Sequence, residues 1–506
     1  MDTTAFLTSS AVKYGPVCKV WFGTRPWVLV NDPELVRRHA FRLVTRPDDF
    51  ASFIHVMTGE NRDIDRAGVV LATGEAWRRT RRVFEASIIH PASLAAHVPP
   101  MLRCLDRFGA RLQRHAGSGA PLDVAAALGD LMLGAMGRVA YGVDFGCEDG
   151  DSGGGADSSG GVVRELVCAV RDVFETMRME NATAYLPLQL MFPSLEPLWL
   201  WAAHNLPDAK QTKAMRARSK VAEVSRLLME QWQANKAAAA AGGEGDGEGD
   251  KGGFKEVGGG ISSSSFMAAM MEGRRGAVED RLSDIEVISQ GFTFLVAGYE
   301  TTSAATALAL FLLATHPQAT ARLEAEVDAV LGGGREITPE LLAELPYTEA
   351  VLKETLRLHP GITFLVREAR EEVDLGGGRV APRGATLCLA THAVMHDPAI
   401  WPEPEAFRPE RFLPESGGRL GPLAGCGGGG GGAAEGAAWA PFGMGPRMCV
   451  GHKLAMMASK ATLVSLLRRF RFALHAKQPL PLKLKTGLTY GPAEGVWMTV
   501  TERGRQ

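Results

Sequence analysis

The 506-residue chain has no CxxC pair. Its seven cysteines, Cys18, Cys104, Cys147, Cys168, Cys388, Cys426 and Cys449, are odd in number and scattered. Zinc ribbons and thioredoxin-type redox motifs need thiols paired at short spacing, so neither fits. A disulfide framework suits a chain this long no better, and the cysteines read as reduced, with one used for chemistry. An excess of one charge is also lacking. The formal net charge is -2, whereas nucleic-acid binding calls for a concentrated basic balance. The first 30 residues hold no apolar run long enough to span a bilayer. They also lack a charged head followed by an apolar stretch, so no secretory signal is visible. The chain is expected to enter its fold near Tyr14-Gly15-Pro16, and to be either soluble or preceded by an anchor upstream of Met1. No Gly-Lys-Ser/Thr follows the glycine run Gly427–Gly432, which rules out a phosphate loop there.

What is present suits a soluble globular protein: 46% hydrophobic and 22% charged residues. Length alone suggests about three domains, but a chain above ~300 residues can also bury about 75% of its surface in one fold. Val17–Phe22 and Trp27–Val30 read as a strand pair around Gly23-Thr24-Arg25-Pro26. A helix follows, capped by Asn31 or Asp32 with Pro33 in its first turn. Most later segments have helical periodicity. Three Gly-rich stretches, at residues 149–161, 235–265 and 415–438, cannot bury enough apolar surface to order themselves. They read as surface loops or disordered inserts. The longest helix is expected over Asp284–Thr315. Ser283 and Glu286 form a capping-box pattern at its start, and His316-Pro317 ends it. It is apolar almost all round, as a buried central helix should be. A membrane span is disfavoured, because Glu300, Thr301 and Thr302 in its middle would be costly in lipid.

Four patterns carry chemistry. Cys449 lies in Phe442-Gly443-Met444-Gly445-Pro446-Arg447-Met448-Cys449-Val450-Gly451. A lone cysteine is ordinarily a small buried hydrophobe. Here Gly443, Gly445 and Gly451 let the backbone bend around the sulfur, so that amide N–H groups can point at a thiolate and moderate its basicity. Phe442 can shield the sulfur from water, and Arg447 is suited to a carboxylate. The second pattern is Ala297-Gly298-Tyr299-Glu300-Thr301-Thr302. Helical threonine more often just bonds its own backbone, and a mid-helix glycine costs ~1 kcal/mol relative to alanine. The expectation is that Gly298 lets the helix open beside a ligand, and that the adjacent acid and alcohol relay protons. The third is Glu354-Thr355-Leu356-Arg357, whose acid and base share a helix face. As a surface pair they would be worth under about 1 kcal/mol. The fourth, Trp77-Arg78-Arg79-Thr80-Arg81-Arg82, reads by itself as a solvated basic face.

The cysteine segment matches F-x-x-G-x-R-x-C-x-G, the haem-binding pattern of the cytochrome P450 superfamily, at every fixed position. The chain resembles that family over roughly residues 14 to 500. The resemblance implies one haem domain over residues 1–506, mainly α with small β-sheets (α+β), with haem b between the central helix and the cysteine loop. It implies Cys449 as the iron ligand, a thiolate whose electron density favours O–O cleavage. Phe442, Gly443 and Ala297 would line the cofactor. Thr301 would hydrogen-bond dioxygen at the haem, Glu300 would help deliver protons, and Thr302 would pack. Glu354, Arg357 and Arg411 would form a buried network supporting the cysteine loop. Trp77, Arg81, Arg367 and Arg447 would contact the haem propionates. Arg78, Arg79, Arg82 and Lys453 would then be left for docking an acidic electron donor.

The segments Phe294–Ser303 and Pro481–Gly487 look most like the microsomal family 3 type, which includes drug-oxidising and thromboxane-synthase-like members. By analogy, substrate contacts would come from 52–70, 174–206, Phe294, Ala297, 362–366 and 488–490. Most of these positions are apolar, which favours a small hydrophobic substrate. Electrons from NADPH would arrive through a separate flavin-containing reductase or a ferredoxin, since no flavin or nicotinamide domain remains. A monomer is expected, with no nucleic-acid partner. Tyr185–Trp201 is either core or a peripheral membrane contact. The implied location is the endoplasmic reticulum surface if an anchor precedes Met1, otherwise cytoplasm or plastid. Two rival readings stand beside the monooxygenase. One is a haem-thiolate isomerase or dehydratase that rearranges a fatty-acid peroxide without a reductase. The other is a non-catalytic haem sensor or carrier.

Overall fold

The computed structural model describes residues 3–59, 62–147, 158–177, 182–241, 265–272, 282–413, 438–486 and 489–504. Helix α1 (Thr3–Tyr14) is followed by strands β1 (Val17–Phe22) and β2 (Arg25–Val30) and by α2 (Pro33–Arg42). Next come α3 (Asp48–Thr58), α4 (Arg62–Ala67), α5 (Gly74–Ile88), α6 (Pro91–His115), β3 (Leu122–Asp123) and α7 (Val124–Tyr141). The middle of the chain forms α8 (Ser158–Thr176), α9 (Tyr185–Met191), α10 (Glu196–Asn205), α11 (Ala209–Ala241), α12 (Phe266–Glu272) and α13 (Asp284–Thr315). Then follow α14 (Pro317–Leu331), α15 (Pro339–Ala343), α16 (Pro346–Leu358), β4 (Leu365–Glu368), β5 (Val373–Asp374), β6 (Val380–Ala381), β7 (Thr386–Leu389) and α17 (Thr391–Met395). The last elements are α18 (His452–Leu467), β8 (Phe470–Leu474), β9 (Leu484–Thr486), β10 (Tyr490–Pro492) and β11 (Trp497–Glu502). The fold is mainly α with small sheets, as expected.

Local signals set the boundaries of α13. The Ser283 hydroxyl accepts from the Glu286 amide while the Glu286 carboxylate accepts from the Ser283 amide, a complete capping box. The helix stops at His316, ahead of Pro317. It packs lengthwise on α7, and both helices are long and apolar enough to cross a membrane. Most of each apolar stretch is nevertheless buried in protein, 78% for α7 and 61% for α13. Two apolar cores flank this pair. One gathers Phe108 of α6, Leu131 of α7, Leu310 of α13, Val351 of α16 and Val464 of α18. The other gathers Phe84 of α5, Val170 of α8, Val221 of α11, Phe266 of α12 and Leu295 of α13. Each such fully buried side chain stabilises the fold by about 1.5–3 kcal/mol. Tyr299 and Met457 touch both cores, so the middle of α13 lies at their seam.

A four-stranded sheet has the order β1-β2-β7-β4, with β2 and β7 parallel and the outer pairs antiparallel. Strand β2 begins at Arg25, two residues before the expected Trp27. Of the two candidate caps of α2, Asn31 and Asp32, it is Asp32 whose carboxylate accepts from the Leu35 amide, at 2.8 Å.

Two expectations need correction. The chain enters its fold before Tyr14: α1 lays Leu7 and Ala11 on Val20, Leu29 and Cys388 of the sheet. The intervening Thr and Ser residues had hidden that stripe. The Gly-rich stretches are also shorter at their ends than expected. Ser158 opens α8, residues 235–241 continue α11, and the Ser265 hydroxyl accepts from the Ala268 amide at the start of α12. The alanine run after Lys236 propagates helix well. Residues 149–157, 242–264 and 415–437 lie outside the described residues.

Candidate active site

The loop before α18 folds around Cys449. Gly443 and Gly445 take positive φ, 71° and 72°. A Cβ on Gly445 would sit 2.4 Å from the Ala40 carbonyl oxygen, so only glycine lets the loop press against α2. The Cys449 amide donates to Phe442 O at 2.9 Å and the Met448 amide to Gly445 O at 2.9 Å, closing the turn. The Gly451 amide donates to the sulfur. Burial raises the thiol pKa, and the Gly451 amide and the Arg81 charge oppose the rise. Cys449 is enclosed by protein mass, yet its surface is accessible. Ala297, in the middle of the buried α13, is accessible too. The two facts agree if both residues border an interior slot at the seam of the cores rather than bulk solvent.

Buried guanidinium groups gather beside this loop. Arg447 donates from Nε to Val44 O (2.8 Å), from Nη1 to Val69 O (3.2 Å) and from Nη2 to Ala72 O (2.7 Å). It also lies 4.2 Å from the centre of the Trp77 ring. Arg367 donates to Val366 O at 2.9 Å, while its Nε and the Trp77 Nε1 are buried without a protein acceptor. Arg81 donates to Glu85 and, at 2.6 Å, to Met448 O. Burial, then the charges of Arg46, Arg367 and Arg81, push the Arg447 pKa down to about 9. Burial and Arg46 push Arg367 down to about 10. Among the described residues no carboxylate acts on either group. Buried cations of this kind favour an anion at close range, and the donor set fits the two carboxylates of haem b.

Arg46 was not foreseen, since only the fold distinguishes it from other arginines. Gln290 was missed as well. Its Oε1 accepts from the Val69 amide at 2.9 Å, so Val69 is gripped by α13 on one side and by Arg447 on the other.

On α13, Thr301 Oγ1 donates to Ala297 O at 2.6 Å, and Glu300 Oε2 accepts from Thr489 Oγ1 at 2.8 Å. Thr302 is buried and packs, as expected. The helix does not open at Gly298. A Cβ there would lie 2.9 Å from the Met136 sulfur, so the glycine serves close packing on α7. Phe294 is likewise not at a ligand surface: it is buried against Phe266 (4.8 Å between ring centres), which meets Phe84 at 4.7 Å.

The structure brings the third pattern together with Arg411. Glu354 and Arg357 are fully buried. Glu354 accepts from Arg357 Nε (2.7 Å) and Nη2 (3.0 Å), from the Arg408 amide (3.0 Å) and from Arg411 Nε (3.2 Å). Arg357 also donates to Met395 O at 2.8 Å and Pro404 O at 2.7 Å. Trp439 Nε1 donates to Lys353 O at 3.1 Å, tying this helix to the segment that leads into the cysteine loop.

A cytochrome P450 sequence profile matches residues 2–497. The chain belongs to the cytochrome P450 family. It is 27% identical over 509 residues to thromboxane-A synthase of Macaca fascicularis, covering 97% of this chain and 86% of that one. It is 25% identical over 503 residues to cytochrome P450 3A16 of Mus musculus, with the same coverage. Over 222 residues, 44% of this chain and 41% of the relative, it is 36% identical to cytochrome P450 3A2 of Rattus norvegicus. These relatives agree with the resemblance drawn from the motifs. P450s carry haem b and use dioxygen with electrons from NADPH by way of a reductase, and they are haem-thiolate oxidoreductases.

Two surfaces of this P450 differ from the sequence reading. Arg79 is paired with Glu286 at the start of α13, and Glu75 serves both Arg78 (3.1 Å) and Arg82 (3.7 Å). The basic patch is therefore partly neutralised, leaving Arg78, Arg82 and Lys453 exposed. Of the two readings of Tyr185–Trp201, core packing holds for Leu186 and Gln189 but not for the outer face. Met191, Phe192, Leu195, Leu198, Trp201 and Leu206 are each 45% or more exposed.

Proposed function

We propose that this P450 is a monooxygenase that inserts one atom of dioxygen into a small hydrophobic organic molecule. Electrons come from NADPH through a separate flavin-containing reductase or a ferredoxin. The reading is carried by an accessible Cys449 in its loop, an accessible stretch of α13 beside the adjacent Glu300 and Thr301, and the packing on α13 of the helix α18 that follows the loop. Haem b supplies the electron transfer and dioxygen chemistry that no side chain provides. Cys449 holds its iron. Arg447, Arg367 and Arg81, with Trp77, hold its propionates. Ala297 and Gly443 leave room for the flat ring, and Phe442 keeps water from the sulfur.

Thr301 Oγ1 now donates to Ala297 O. Releasing that bond frees the hydroxyl to donate into the slot, while Glu300 Oε2 passes it a proton taken up from solvent. Each turnover consumes two protons and two electrons, and the second oxygen atom leaves as water. Phe53 and, in 362–366, the accessible Ile362 with Phe364 supply apolar substrate contacts. Arg78, Arg82 and Lys453 steer an acidic electron donor, and the exposed face of α9 and α10 lies against a membrane surface.

A second reading is a haem-thiolate isomerase that rearranges a fatty-acid peroxide without a reductase; the likeness to thromboxane-A synthase favours it. That chemistry has no need of Glu300 and Thr301, and neither has a sensor or carrier. One experiment tests the iron ligand and two separate these readings. Cys449→Ala should abolish the thiolate Soret band of the ferrous carbon monoxide complex, and retention of the band overturns the ligand assignment. Thr301→Ala should raise hydrogen peroxide released per NADPH consumed. A parent protein that consumes a lipid peroxide but no NADPH, with a reductase present, is an isomerase.

A further inference from the structure

We propose that Thr489 is a positioning residue for Glu300, and that the β9–β10 hairpin aligns both members of the acid–alcohol pair. The inference rests on reading Glu300 and Thr301 as the proton-delivery pair. Thr489 Oγ1 reaches Glu300 Oε2 at 2.8 Å from 189 residues along the chain. Among the described residues Glu300 has this hydroxyl partner and no lysine, arginine or histidine. That choice has a chemical consequence. A guanidinium in this position would hold the carboxylate ionised and oppose its protonation. A threonine hydroxyl donates to the carboxylate and can equally accept from the carboxylic acid. The side chain is therefore restrained in both protonation states, as a group that must take up and release a proton requires.

The same hairpin reaches Thr301 by a second route. Ala304 lies one turn beyond Glu300 on the same face of α13, and a Cβ on Gly491 would sit 3.4 Å from its Cβ. Thr301 lies on the neighbouring face, where a Cβ on Gly361 would sit 3.6 Å from Thr301 Cβ and Cγ2. The Tyr490 amide donates to Gly361 O at 2.9 Å. Successive residues of one hairpin thus hold the acid directly and brace the backbone that flanks the alcohol. Two small residues, Gly361 and Gly491, allow both approaches.

The test compares holoenzymes of the parent, Thr489→Val, Thr489→Ser and Glu300→Gln. Valine keeps the shape of threonine and removes the hydroxyl. An alkoxycoumarin O-dealkylation probe, NADPH and a reductase report product and hydrogen peroxide per NADPH oxidised. The C–O stretching frequency of the ferrous carbon monoxide complex reports the polarity around the site without turnover. Thr489→Val should lower product per NADPH by about 3- to 30-fold, part of the effect of a general acid. It should also raise peroxide release and shift the C–O stretch, with the probe's dissociation constant unchanged. Thr489→Ser should restore all three readouts. If Thr489→Val behaves as the parent while Glu300→Gln is uncoupled, Thr489 does not position the acid. If valine weakens probe binding and serine fails to restore coupling, Thr489 is a substrate contact and the inference is overturned. If Glu300→Gln is itself silent in both assays, the proton-delivery reading fails first and takes this inference with it.

Discussion

Replacing Glu354 by alanine tests what holds the cysteine loop in place. The carboxylate is fully buried and accepts four hydrogen bonds, two from Arg357, one from the Arg408 amide and one from Arg411. Its removal leaves the fully buried Arg357 guanidinium without its counter-charge. Carbonyl oxygens of Met395 and Pro404 remain as acceptors, but they carry no net charge. Breaking a buried ion pair from one side costs about 3–5 kcal/mol. By contrast, Arg78→Ala removes an exposed partner of Glu75 and should cost under about 1 kcal/mol. Both variants are compared with the parent by urea unfolding, followed by far-UV circular dichroism and by the Soret band. Glu354→Ala should shift both transitions to lower urea and reduce the haem retained on purification, because α16 is tied through Lys353 and Trp439 to the cysteine loop. A loss below about 1 kcal/mol with full haem content would refute the claim that this network supports the loop.

Three further outcomes follow from the geometry. Arg447→Lys keeps the charge but cannot reach Val44, Val69 and Ala72 together or stack on Trp77, so haem transfer to apomyoglobin should be about tenfold faster or more; an unchanged rate removes Arg447 from the haem site. Gly445→Ala meets both the positive φ of 72° and the Ala40 carbonyl at 2.4 Å, and should destabilise by at least about 2 kcal/mol in the same unfolding assay; a neutral result means the loop stands away from α2. Burial lowers the pKa of His97 to about 4, and burial with the charges of His396 and Arg357 lowers that of His359 to about 3. The unfolded chain therefore binds more protons than the folded one below about pH 6.5, so stability is fully present above that pH and is lost as pH falls toward 4 and 3, by up to about 1.4 kcal/mol per pH unit and group. His359→Gln should flatten that acid limb, and an unaltered slope would show that His359 is protonated in the native state.

Much of the site was legible because its chemistry is written in short, contiguous segments. Cysteine, arginine and glycine at fixed spacing describe one turn of backbone, and that turn has the form the spacing demands. The ends of α13 were equally local, since a capping box and a following proline act within a few residues. Glu354 and Arg357 share a helix face by periodicity alone. Their burial, which turns a weak surface pair into a network of four bonds, depends on the segment from Met395 to Arg411.

Where the sequence failed, the missing information was a distant partner. Gly298 looked like a hinge until Met136 of α7 came within 2.9 Å of its Cβ position. Phe294 looked like a substrate contact until α5 and α12 covered it. The helical residues Glu196–Asn205 carry apolar side chains whose core-like composition says nothing about which way they face. Arg46, Gln290 and Thr489 have no local signature at all. Propensity, capping and motif spacing are short-range properties of the backbone, so sequence determined the thiolate loop, the central helix and the family. Which buried charges share a site, and which hydroxyl holds the acid on α13, are contacts between segments far apart in the chain, and these only the packing of the two cores decided.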